Sequence, residues 1–247
     1  MRKWIYAAFA GIVFLSTIIV SMPLGFILDR VGFGSFGIGW AQIEGTVFKG
    51  RINGVFTPRQ AIGDIRLTLR PWSLFGGVVK YDFDWGSSGG RGSGAIAVST
   101  TSLRFDDVRF RHSLAAIEGM SSSIRMSGGD IRLSNGMVEF DSTGCRQARG
   151  QITSNALTKA AMSYGKNFGP VTGTLACEQG DFVAEMLSES PTGDRISISS
   201  RFGLLGDAVV EVDVTTSDLE IIALLQRYDF ELNDNVWTYR LSTQGLS

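Results

Sequence analysis

Through most of this chain, apolar and polar residues alternate one for one in short runs that end at glycine, asparagine or serine. Ile65, Leu67 and Leu69 alternate with Arg66, Thr68 and Arg70. Tyr81, Phe83 and Trp85 alternate with Lys80, Asp82 and Asp84. A period of two places successive side chains on opposite faces of a strand, so one face is buried and the other solvated. The pattern continues in AIAV, SLRF and DVRF, in GDIRLS and MVEF, and in VTGTLAC, DFVAEM, RISISSRF and AVVEVDVT. Such a chain is confined to a mainly β fold of many short antiparallel strands. Its 31 glycines supply the turns, since glycine reverses a chain at no steric cost.

Local signals divide the pattern further. Arg66 and Arg70 on one run face Asp82 and Asp84 on the next, which favours an antiparallel hairpin held by cross-strand charge pairs. GTVFKGRINGVF, from Gly45, reads as short strands with tight glycine turns. GSSGGRGSG, residues 86–94, reads as a loop, and Asn135-Gly136 as a type I′ hairpin turn. Three segments have helical spacing: 113–120, 154–165 with a serine or asparagine cap, and 216–230 capped by Ser217 or Asp218.

The N-terminus differs in kind. Between Lys3 and Asp29 no residue is charged. A bilayer core of about 30 Å needs roughly 20 apolar residues of helix, so this run is long enough to span. Arg2 and Lys3 precede it, which keeps the N-terminus cytoplasmic and sends the remainder across. The expected organisation is a cytoplasmic start at 1–3, a transmembrane helix at 4–28 and an exported β-rich domain at 29–247. A cleaved signal peptide is the competing reading, but its apolar region is shorter and Ser21-Met22-Pro23 is a poor cleavage site. On the exported side Cys145 and Cys177 form an even pair in an oxidising compartment, so a disulfide is expected. Two unpaired buried thiols are the alternative.

Catalytic chemistry finds no foothold. His112 is the only histidine, and its place between Arg111 and Ser113 suits a surface or capping role. Zinc-protease, phosphate-loop and CxxC motifs are absent from the sequence. Asp106, Asp107 and Asp130 sit beside arginine or glycine, as on solvated strand faces and turns. No catalytic, cofactor or metal residue is assigned. A net charge of −1 gives no electrostatic footprint for nucleic acid.

PWSLFGG, between the first two clear strands, is apolar where turns are normally polar. Trp72, Leu74 and Phe75 are contact candidates with two readings. They fold back to plug the end of the sheet, which is the favoured one, or they touch the membrane surface, where tryptophan settles.

The order of these elements resembles the type II secretion system protein N family. GWAQIEGTVFKGRINGV resembles a G-T-x-W-x-G element with Phe48 at the tryptophan position. RPWSLFGGVVKYDF carries an Arg-Pro-x-x-Leu core. Cys145-x-x-Ala-x-Gly, a helix near Asn155 and VTGTLAC with the second cysteine follow in order. The resemblance implies a non-enzymatic, single-pass inner-membrane accessory component whose partners are other inner-membrane or periplasmic secretion subunits. It also implies a curled antiparallel sheet of the kind seen in AsmA-like proteins, forming an apolar groove or half-barrel with a few short helices. Lipid handling along such a groove is the alternative function, with Trp40, Phe75, Phe83 and Trp85 as lining candidates. A periplasmic hydrolase is a distant third.

Overall fold

The computed structural model describes residues 17, 21–26, 39–57, 60–99, 101–117, 125, 126, 128–203 and 208–242. The expected transmembrane helix at 4–28 falls mostly outside them, and among the described residues no helix is long and apolar enough to cross a membrane.

The alternating runs form one open antiparallel sheet of 14 strands. They are β1 (Gln42–Gly45), β2 (Lys49–Thr57), β3 (Gln60–Leu69), β4 (Val79–Gly86), β5 (Gly90–Val98), β6 (Ser102–Ser113) and β7 (Asp130–Asp141). Then come β8 (Gly144–Ser154), β9 (Val171–Glu178), β10 (Asp181–Glu189), β11 (Arg195–Phe202), β12 (Ala208–Thr215), β13 (Glu231–Asn233) and β14 (Val236–Ser242). Every strand pairs with its neighbour in sequence, except that β14 inserts between β12 and β13. Such a meander follows from short turns, because a tight connection can only join adjacent antiparallel strands.

The register makes one face apolar from end to end. Ile65 faces Trp85, Leu67 faces Phe83 and Leu69 faces Tyr81. Tyr81 continues to Ile96, Ile96 to Phe105 and Phe105 to Val138. Beyond the middle, Phe182 faces Cys177 and Phe202, and Val214 faces Ile196 and Trp237. The opposite face carries the charges. Arg66 stands against Asp84, and Arg70 forks onto Asp82 at 2.6–3.0 Å.

Two local readings are corrected by the neighbours of the residues concerned. Gly90–Gly94 is strand, not loop, and only Ser87–Gly89 turns. Gly90, Gly92 and Gly94 fall on the apolar face, where the rings of Trp85 and Phe83 lie over them. A Cβ on Gly94 would stand 2.8 Å from the Phe83 ring. Asn135-Gly136 is not a hairpin turn but a bulge inside β7, with Asn135 at φ 52° and the register shifting between Ser134 and Met137. Register shifts between Ser93 and Ala95 on β5, and between Phe105 and Val108 on β6, lie beside it. A bulge adds one residue to one strand and bends it. GTVFKGRINGVF holds the end of β1, a turn at Thr46–Phe48 closed by the Thr46 N–H on the Lys49 carbonyl, and most of β2, whose register shifts between Ile52 and Val55.

Helices cover only part of the apolar face. The first, α1 (Ala156–Ser163), follows Asn155; the second, α2 (Leu219–Arg227), is capped by Asp218, whose carboxylate accepts from the N–H of Glu220 and Ile221. Ala161, Ile221 and Leu225 pack on Ile196, Val214 and Trp237. Of the segment expected as a helix at 113–120, Leu114–Ala116 form one 3-10 turn. At the other end Leu24, 2% exposed, seals against Ile52, Val55 and Leu67.

Candidate functional site

Between these two covers lies the feature that sets this sheet apart: a row of aromatic rings running across it. Phe83 on β4 meets Phe105 on β6 edge to face at 6.1 Å. Phe105 stacks on Phe140 of β7 at 5.9 Å, Phe140 meets Phe182 of β10 at 6.5 Å, and Phe182 stacks on Phe202 of β11 at 5.4 Å. A parallel pair stands nearer the other strand ends, where Trp85 stacks on His112 at 5.7 Å. The glycines of β5 permit both reaches, since no Cβ separates the β4 rings from β6. Of the five phenylalanines only Phe182 is buried; Phe83, Phe105 and Phe140 are half-buried and Phe202 is exposed. In a closed core of this size, side chains like these would be buried outright.

The residues singled out from the sequence fall into place differently. Trp40 joins the cluster sealed by Leu24. Phe83 and Trp85 belong to the row, and Trp85 satisfies its indole N–H on the Ile62 carbonyl at 2.8 Å. His112 lies on the apolar face, its Nδ1 2.9 Å from the Ser113 carbonyl oxygen, so it is a packed ring rather than a surface group. Phe105, Phe140, Phe182 and Phe202 were missed. Their signal was present in strand parity, but only the register shows that they align.

Trp72, Leu74 and Phe75 do not plug the sheet. They form the 3-10 turn Pro71–Gly76, which buries none of its residues. Trp72 is 80% exposed and Phe75 86%, and the two rings stack on each other at 5.9 Å. Rings this exposed cover no apolar surface of the described sheet.

Cys145 and Cys177 are disulfide-bonded, with Cα atoms 5.7 Å apart. The bond sits where the β8–β9 ladder stops. Paired residues run only from Gln151 with Thr174 to Ser154 with Val171. Above them the strands are joined by the disulfide and by the Cys145 N–H donating to the Gly180 carbonyl at 2.6 Å.

The charged face is laced with ion pairs. A cleft of about 510 Å³ is lined by Arg51, Asp64, Arg66 and Asp84. Its Asp64 accepts from the Gly54 N–H and from Arg51, which hold its carboxyl below the ordinary range. Asp130, beside Arg111 at 2.6 Å, is lowered for the same kind of reason, and Asp106 is paired with Arg104. A general acid at neutral pH needs its pKa raised, and these shifts run the other way. Among the described residues no cluster of three or more His, Cys, Asp or Glu could hold a metal.

No curated protein and no solved structure matches the chain. A family model of type II secretion system protein N matches residues 37–218, a span that runs from before β1 to the cap of α2. Because the match takes in twelve of the strands and most of the chain, this protein belongs to the type II secretion system protein N family.

Proposed function

We propose that this chain is a non-enzymatic accessory component of the type II secretion machinery, anchored in the inner membrane by its N-terminal apolar run and acting by contact through its periplasmic sheet. The observation that carries the reading is the family match over nearly the whole sheet. The topology is supported by Arg2 and Lys3 ahead of an uncharged run. The Cys145–Cys177 bond suits an oxidising compartment. The partners are other inner-membrane or periplasmic secretion subunits. Deleting the gene in a secreting host should lower export of a reporter substrate, and tagged protein should co-purify other secretion components. Unchanged export together with no co-purifying component refutes the reading.

The aromatic row favours a second reading. Phe140 and Phe182 are three strands apart, yet their rings are 6.5 Å from each other, against about 14 Å between such strands in a flat sheet. Together with the neighbouring bulges this supports a curled sheet whose apolar side is an open groove. Acyl chains would fit such a surface. Native mass spectrometry of the detergent-extracted chain tests it: bound lipid that is lost on Phe105→Asp supports the groove, and lipid-free protein sinks it.

A further inference from the structure

A folded domain rarely displays two large rings at 80% and 86% exposure with nothing to receive them. The Pro71–Gly76 turn is nevertheless held firmly. The Ser73 hydroxyl donates to the Arg70 carbonyl at 2.7 Å and accepts from the Lys80 N–H at 3.1 Å. Arg70 is itself clamped by Asp82. The Gly77 N–H closes the turn on the Leu74 carbonyl at 3.1 Å, with Gly77 at φ 71°. A pre-formed display loses little conformational freedom on docking.

Position indicates what it docks on. The Leu69 N–H, at the base of the turn, donates to the Phe48 carbonyl at 2.8 Å, and the Val47 N–H donates to the Met22 carbonyl at 3.0 Å. Pro23 bridges to Thr46. Residues 21–26, the last part of the uncharged apolar run, are thereby pinned to the same end of the sheet as the Trp72–Phe75 turn. Phe26 is 51% exposed beside them. The other end of the strands carries α1 and α2. From Pro71 to Val79 no residue is charged, while Arg70 and Lys80 flank the segment. Aromatic rings with a basic neighbour, here Lys80, suit the interfacial layer of an anionic bilayer.

We infer that Trp72, Leu74 and Phe75 form a second membrane contact, inserting into the interfacial layer of the bilayer that holds the N-terminal run. The contact would fix the tilt of the sheet relative to the membrane by adding a second attachment beside the pinned residues 21–26. The inference rests on the reading of the N-terminal apolar run as an anchor.

The test uses the full chain in vesicles of phosphatidylethanolamine and phosphatidylglycerol. Phe75→Cys carries an environment-sensitive fluorophore, with Cys145 and Cys177 left paired, and Asn235→Cys at the β13–β14 turn carries the same label. The Phe75 position is expected to emit to the blue of the Asn235 position and to be quenched by lipids bearing a shallow nitroxide, while the Asn235 label is unaffected. Equal, water-like emission and no quenching at both positions, in a chain that resists carbonate extraction, overturns the contact and leaves the anchor standing. A chain stripped from the vesicles by carbonate overturns both. A Phe75 label that is shielded without lipid quenching assigns the turn to a protein surface and likewise overturns the inference.

Discussion

Reducing the Cys145–Cys177 bond should cost about 3.7 kcal/mol of unfolding free energy. The bond spans a sequence separation of 32, and the chain-entropy relation for a loop of that length gives this value near 25 °C. The structure makes the full cost plausible to observe, because the cross-link is not redundant with the ladder. Above Gln151 and Thr174 no strand pairing joins β8 to β9. There the disulfide holds β1–β8 to β9–β14. With an m-value of about 2–3 kcal/mol/M in urea, the midpoint should fall by roughly 1–2 M. The measurement is urea unfolding of oxidised and reduced wild-type protein, which leaves the packing atoms in place, alongside the Cys145→Ala/Cys177→Ala double variant. That variant should lose slightly more, since Cys145 is buried. Hydrogen exchange should rise first in Gly144–Gly150. A loss under about 1 kcal/mol on reduction would refute the reasoning, because it would mean that the short β8–β9 ladder and the Cys145–Gly180 hydrogen bond hold the two halves of the sheet together without the cross-link.

Trp72→Ala and Phe75→Ala should each leave the thermal midpoint unchanged, within about 0.5 kcal/mol of wild type, because neither ring is covered by the protein; a large drop by scanning calorimetry would restore the plug. Gly94→Ala should cost about 1–3 kcal/mol, since its Cβ would meet the Phe83 ring at 2.8 Å, whereas Gly76→Ala, with nothing within 4 Å, should be tolerated in the same denaturation assay. Asp141 accepts from the Thr143 hydroxyl and N–H and from Arg146, which lower its carboxyl from 3.8 to about 2. Because the folded value is the lower one, its stabilisation is complete above about 4 and is lost as pH falls through about 2. Asp141→Asn should therefore flatten the acid limb of a stability–pH curve in that window and leave the neutral region nearly parallel to wild type.

Fold class, strand phases and the cysteine pair could be read from local chemistry. Alternation is a local property: whether Leu67 or Thr68 faces the core depends on the period of two and on nothing distant. The caps of α2 were equally legible, because a capping carboxylate acts on N–H groups two and three residues away. What the glycines and the aromatic rings do depends on neighbours brought in from other strands. Asn135-Gly136 and Gly90–Gly94 have the same local chemistry whether they turn a hairpin, bulge a strand or lie beneath a ring; only Val108 and Phe83, brought in from neighbouring strands, distinguish these cases. The Phe83–Phe202 row exists only once register aligns residues up to 119 positions apart in a chain where each was simply one more apolar alternate. Trp72 and Phe75 stand out in the sequence as large apolar residues in a turn. That they face outward, at the sheet end to which residues 21–26 are bound, is a matter of three-dimensional direction that no one-dimensional period encodes.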